Sequence, residues 1–115
     1  MTLTFKQLRE ASVTRSDVDF GIPIESWTEE RWATALAGEF GEAAAELLEL
    51  NIISMKLMAS LQACDSVKKS FRDEFRISKD KIASELADVV TYADLLAAKL
   101  DIDLEEAVRT KFNEV

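Results

Sequence analysis

The sequence predicts an all-α fold, a bundle of four to five helices forming a single domain over residues 1–115. Three observations lead there. Three glycines and one proline are too few turn formers for an all-β fold. Apolar residues recur at intervals of three and four over long stretches, as on one face of a helix. Capping patterns stand where several of those stretches begin.

Residues 3–11 read as a short amphipathic helix with Leu3, Leu8 and Ala11 on its apolar side. A loop is expected through Ser16, Asp17, Gly21 and Pro23. Ser26, with Glu29 three residues on, makes a capping-box pattern and predicts a helix starting near Trp27. Its apolar seam runs Leu36, Phe40, Ala43, Leu47, Leu50, and the spacing continues through Ile53, Leu57 and Leu61. A straight helix of that length would reach about 50 Å, so a bend or break is expected between Leu50 and Ser66. Residues 66–76, SVKKSFRDEFR, read as a short helix or ordered loop anchored by Val67, Phe71 and Phe75. Ser78 is a candidate N-cap for the next helix, whose seam is Ile82, Leu86, Val89, Ala93, Leu96, Leu100. Asp101–Asp103 reads as a tight connection, and Asp103 with Glu106 caps a last helix to about Phe112. The two long helices are expected to pack antiparallel.

Composition excludes several kinds of chemistry. Apolar content of 48% with 31% charged residues is ordinary for a soluble globular chain. The net charge of −8 disfavours unassisted binding to nucleic acid or to anionic membrane. With no histidine there is no Ser-His or Cys-His nucleophile pair, and the usual zinc and Glu-x-x-His di-iron ligand sets are missing. The single cysteine, Cys64, cannot close an internal disulfide and reads as a small core residue. No apolar run is long enough to span a membrane, and Lys6 and Arg9 among polar residues leave no signal-peptide core. The cytoplasm is therefore the expected compartment.

Two carboxylate pairs carry the functional signal. Glu39 and Glu42 fall three and six positions after Leu36; Glu85 and Asp88 fall three and six positions after Ile82. At about 100° per residue, each pair flanks its own seam at the same offset. Packing the seams together brings four acids to one edge of the contact, where they repel unless a cation sits among them, and a hard divalent ion suits them. The number of such pairs is uninformative. Four i, i+3 acid pairs, including Glu46/Glu49 and Asp103/Glu106, are about what this composition yields by chance. The alternative is a solvated acidic rim beside a coiled-coil-like seam, in a helical module that serves oligomerisation or protein interaction without catalysis. Glu46 extends the first acid stripe by a turn and reads as a solvated charge.

The segment AGEFGEAA (37–44) resembles an E-x-x-E motif, and ELADVVTYADLL (85–96) resembles the E-x-x-D motif that follows it, with DIDLEEAV (101–108) and KFN (111–113) after that. In order and spacing these segments are similar to the all-α nucleoside triphosphate pyrophosphohydrolase superfamily, specifically its MazG-like branch. The resemblance covers about residues 27–50 and 80–113. It implies an enzyme that cleaves a nucleoside triphosphate between the α and β phosphates, giving the monophosphate and pyrophosphate, as in housecleaning of nucleotide pools. It implies Mg²⁺, with Mn²⁺ as a substitute, held by Glu39, Glu42, Glu85 and Asp88. Many members open the first motif with two adjacent glutamates. Here the earlier position is Gly38, which favours a single essential ion.

The resemblance also points to substrate residues. Tyr92 lies one turn beyond Asp88, where related enzymes place a tyrosine near the nucleoside. Trp32 precedes the first motif by about two turns and is a candidate for stacking on a base, or equally for a hydrophobic staple or a subunit contact. Lys111 and Asn113 are candidates for phosphate contacts, whereas Lys56 and Lys81 read as solvated. The family is usually dimeric or tetrameric. A homo-oligomer is expected here as well, because apolar flanks such as Trp27, Trp32, Ile52 and Ile53 need covering.

Overall fold

A computed structural model describes residues 3–60 and 63–113. It is all-α: α1 (Phe5–Thr14), α2 (Glu29–Ala59), α3 (Asp65–Lys99) and α4 (Leu104–Asn113), with a π-helical turn at Arg15–Asp19 and a 3₁₀ turn at Ile24–Ser26. There is no strand among the described residues. No helix is long and apolar enough to cross a membrane. The chain falls into two compact units, Met1–Ala37 with Val89–Val115, and Gly38–Asp88.

In the first unit, Thr4 caps α1 through a reciprocal capping box. Gln7 N donates to Thr4 Oγ1 at 3.1 Å and Thr4 N donates to Gln7 Oε1 at 2.9 Å. The expected loop at Ser16–Asp17 is helical instead. The π-helical turn closes with Phe20 N donating to Arg15 O at 3.2 Å, and Gly21 then takes a left-handed φ of 65°. Ser26 does not cap α2. Its hydroxyl donates to Pro23 O at 2.7 Å in the 3₁₀ turn, and Thr28 Oγ1 accepts from Arg31 N at 3.2 Å, so α2 starts at Glu29. Ile24, Trp32 and Leu95 form the buried cluster of this unit, with Val13, Ile22, Trp27 and Tyr92 packed against it.

The connection after α3 is as tight as expected. Asp101 adopts φ 56°, Ile102 N donates to Ala97 O at 2.8 Å and Asp101 N to Ala98 O at 3.1 Å, the bond pattern of a Schellman cap. Asp103 Oδ1 then accepts from Glu106 N at 3.0 Å and caps α4. A half-buried ion pair ties α1 to α3 and to this turn. Arg9 Nε and Nη2 donate to the two Asp94 carboxylate oxygens at 2.9 and 3.0 Å, and Nη2 also donates to Ile102 O at 2.8 Å. Asp94 is 1% exposed.

The second unit is a helical hairpin made by the later part of α2 and the earlier part of α3. The break falls inside the expected interval. Ser60 N donates to Lys56 O at 3.0 Å and Ala63 N to Ser60 O at 2.8 Å, closing α2. Leu61, the last residue of the expected α2 spacing, lies outside the described residues. Residues 66–76 are not a separate element. They belong to α3, and Ser78 sits inside that helix rather than at its start. The reason is local: no glycine or proline occurs between Asp65 and Lys99 to interrupt helical hydrogen bonding. Cys64, expected in the core, is exposed; its thiol lies 3.2 Å from Ser66 Oγ. That hydroxyl and the backbone amides of Val67 and Ser66 favour the thiolate and lower the thiol pKa.

The hairpin's inward face differs from the expected seam by one position in each repeat. On the hairpin part of α2 the buried and half-buried positions are Glu39, Ala43, Glu46, Leu50, Ile53 and Leu57, spaced alternately by four and three, with Ser54 beside Ile53. On α3 they include Phe71, Phe75, Ser78, Ile82 and Glu85. Phe40, Leu47 and Leu86, expected in the seam, are 64%, 52% and 50% exposed. Glutamates take the places those side chains were expected to fill.

Removing Asp94 takes two of the three hydrogen bonds of the Arg9 guanidinium and leaves only the one to Ile102 O. Asp94→Ala is expected to lower unfolding stability by about 3 kcal/mol in urea denaturation. An Arg9→Met, Asp94→Leu double variant is expected to recover most of that loss, because neither charge then remains.

Candidate metal centre

The four acids singled out by their sequence register lie within the hairpin unit. Glu39 and Glu85 face inward, each from its own helix, and Asp88 is one turn beyond Glu85. One carboxylate oxygen from each of Glu39, Glu85 and Asp88 lies within 4.8 Å of the other two. Glu42 acts on both Glu39 and Glu85 and raises the proton affinity of each. The pairing is antiparallel. Glu39 on α2 meets Glu85 and Asp88 on α3, while further along α2 residues 45–56 share a groove with residues 74–81.

Contacts between carboxylates are attractive only when one holds a proton or a cation lies between them. Among the described residues, the buried side-chain polar atoms without a hydrogen-bond partner are Glu39 Oε2, Glu46 Oε2, Glu85 Oε2 and Ser78 Oγ. All are inward positions of the hairpin. Buried polar atoms are normally satisfied, so a cluster of exceptions needs a physical cause. Burial raises the pKa of Glu39 above the ordinary carboxylate value, and the charges of Glu42, Asp88 and Glu85 raise it further. Glu85 is raised in the same way, first by burial and then by Glu42, Asp88 and Glu46.

The donor set suits a hard cation. Carboxylate oxygens are the ligands Mg²⁺ and Ca²⁺ prefer, and metal–oxygen bonds of about 2.1–2.5 Å put ligand oxygens about 3–5 Å apart. Glu39, Glu85 and Asp88 meet that spacing as they stand. A side chain at Gly38, where many members of the resembled family carry another glutamate, would meet nothing within 4 Å. Packing therefore does not account for the glycine.

The candidate substrate residues belong to the other unit. Trp32 is 2% exposed; its Nε1 donates to Ile24 O at 3.2 Å, and its ring lies 4.5 Å from Trp27 and 6.4 Å from Tyr92, centroid to centroid. It is a core residue, not an exposed stacking platform. Tyr92 is half-buried against the same cluster. Lys111 and Asn113 are exposed on the last turn of α4. Trp32 and Ile53, counted from the sequence among the flanks that need a partner, are buried within the chain itself, whereas Ile52 is exposed.

Two inward polar groups escape the sequence argument. Glu46, read as solvated, is half-buried, and Ser78 is 4% exposed. A signal for both was present: Glu46 follows Glu39 by seven residues, and Ser78 precedes Glu85 by seven. One heptad apart on a helix means the same face.

The chain matches no protein-family model, no curated protein and no solved structure.

The raised pKa values set the sign of a pH effect. A carboxyl whose folded pKa exceeds its unfolded value destabilises the fold once ionised, so that stability returns as pH falls through the folded pKa. In chelator, the melting temperature is expected to rise as pH falls from neutrality toward the ordinary carboxylate range. Millimolar Mg²⁺, or the Glu39→Gln, Glu85→Gln double variant, is expected to flatten that dependence. Differential scanning calorimetry across this range checks it.

Proposed function

We propose that this protein is a Mg²⁺-dependent nucleoside triphosphate pyrophosphohydrolase, cleaving (d)NTP to (d)NMP and pyrophosphate. The observation that carries the reading is the inward-facing carboxylate cluster with its unpartnered oxygens. Glu39, Glu85 and Asp88 would hold the ion, with Glu42 beside them. Mn²⁺ offers the same hard-oxygen chemistry. Bound there, such an ion supplies charge neutralisation for phosphate oxygens and acidifies a coordinated water.

The chain's own residues have separable tasks. The acid cluster fixes where the phosphates dock and so supplies placement, which this in-line displacement needs more than a covalent nucleophile. The attacking water forms a bond to phosphorus, the bridging P–O bond breaks, and pyrophosphate leaves with the electron pair. The water's proton must go to a base. Glu42, beside the three acids that would hold the ion, is left to take that role. No histidine is required.

The protein acts as a homo-oligomer, a dimer or a tetramer, in this reading. The hairpin buries few large apolar side chains of its own, yet it exposes Phe40, Leu47, Leu48, Ile52, Met55 and Met58 along α2. A second copy of the same hairpin covers such a face by symmetry. The same exposed face supports the rival reading, a helical assembly module without catalysis.

Pyrophosphate release from a panel of dNTPs and NTPs with Mg²⁺ separates the two readings. Activity with at least one nucleotide is expected, falling at least a hundredfold in Glu39→Gln and in Asp88→Asn (on the order of 3 kcal/mol of transition-state stabilisation). No release across the panel, or release that survives both substitutions, contradicts the assignment. Light scattering is expected to give at least twice the chain mass at micromolar concentration, and a Leu48→Glu, Ile52→Glu variant the mass of one chain. A monomeric parent protein contradicts the oligomer.

A further inference from the structure

A groove of about 530 Å³ runs along the hairpin beyond the acid cluster, between α2 and α3. Two of the chain's unpartnered buried groups, Ser78 Oγ and Glu46 Oε2, line it from opposite helices. Ser78 is 4% exposed, so water does not readily satisfy its hydroxyl. A serine in a helix ordinarily turns its hydroxyl to solvent or back to a carbonyl of the preceding turn, and this one does neither. The size falls within the range of small-molecule sites.

We propose that this groove receives the nucleoside end of a nucleotide whose phosphates dock at Glu39, Glu42, Glu85 and Asp88. The ligand's identity rests on the hydrolase reading; the groove and its unpartnered groups do not. An ionised carboxylate only accepts hydrogen bonds, and a serine hydroxyl both accepts and donates. A sugar hydroxyl or a base amino group satisfies both. A phosphate does not, because Glu46, Glu49 and Glu74 outnumber Lys56 and Lys81 around the groove. Ile53 and Ile77 add an apolar wall suited to the face of a ring. The groove is also continuous with the acids. Glu46 lies one helical turn past Glu42, and its charge acts on Glu85. Ser78 lies seven residues before Glu85, about 10 Å along α3, a separation a nucleotide bridges.

The test uses the full chain, ¹⁵N-labelled, titrated with each of the common deoxynucleosides and separately with Mg²⁺ plus pyrophosphate. At least one nucleoside is expected to shift the amides of Ile52, Ile77 and Ser78. Mg²⁺ with pyrophosphate is expected to shift those of Glu39–Glu42 and Glu85–Asp88. Ser78→Ala and Glu46→Gln are each expected to weaken nucleoside binding at least tenfold. Calorimetric Mg²⁺ affinity is expected to stay within twofold in Ser78→Ala. Nucleoside binding undiminished in both variants overturns the proposal, as does no shift in the groove with any nucleoside. Groove shifts that follow protein concentration alone also overturn it, since the groove is then a contact between copies. Groove binding without hydrolysis of any nucleotide removes the hydrolase reading alone. Hydrolysis with shifts confined to the acid cluster removes the groove alone.

Discussion

Carboxylates on the inward face of a helix hairpin are the constraint from which the rest follows. Glu39 and Glu85 occupy positions where a two-helix contact ordinarily buries leucine or valine. Their burial raises their proton affinity, and their neighbours are acids that raise it further. An arrangement of this kind persists in a folded chain when something outside the chain offsets it. The same displacement turns Phe40, Leu47 and Leu86 outward. In the proposed reading, a metal among the acids and a second copy over the apolar flank both follow from one rotation of the seam.

The other unit shows what buried polarity looks like when the chain satisfies it alone. Asp94 is as buried as any residue, and both its oxygens are held by Arg9. The indole of Trp32 has its backbone acceptor in Ile24. Ser16 closes the turn after α1 by donating to Ile22 O at 2.6 Å. Among the described residues no buried side-chain polar atom of that unit lacks a hydrogen-bond partner, while the unpartnered atoms gather on one face of the hairpin. That contrast, more than the number of acids, separates a site from a solvated rim.

Much of this was legible in the sequence, for reasons that can be stated. The matching offsets of Glu39/Glu42 and Glu85/Asp88 located the cluster because helical geometry converts spacing into direction. The α3–α4 turn was readable because Asp103 and Glu106 cap locally. The start of α2 was misplaced because two hydroxyls compete for it. Ser26 serves the preceding turn and Thr28 takes the cap. Ser78 looked like a cap because the charged stretch before it weakened the apolar pattern, although nothing there breaks a helix. The seam itself was assigned to Phe40, Leu47 and Leu86 on the rule that apolar residues face inward. That rule fails where acids are placed inward, and such failures are expected to cluster at functional sites.

The most direct test of the inward acids is a titration of the protein with Mn²⁺ followed by electron paramagnetic resonance of the free ion. Saturable loss of the free-ion signal is expected, with about one ion bound per chain. Competition by Mg²⁺ and loss of binding in Glu85→Gln are expected as well. A free-ion signal that the protein leaves unchanged, or binding that persists when Glu39 and Glu85 are both replaced by glutamine, contradicts the metal centre.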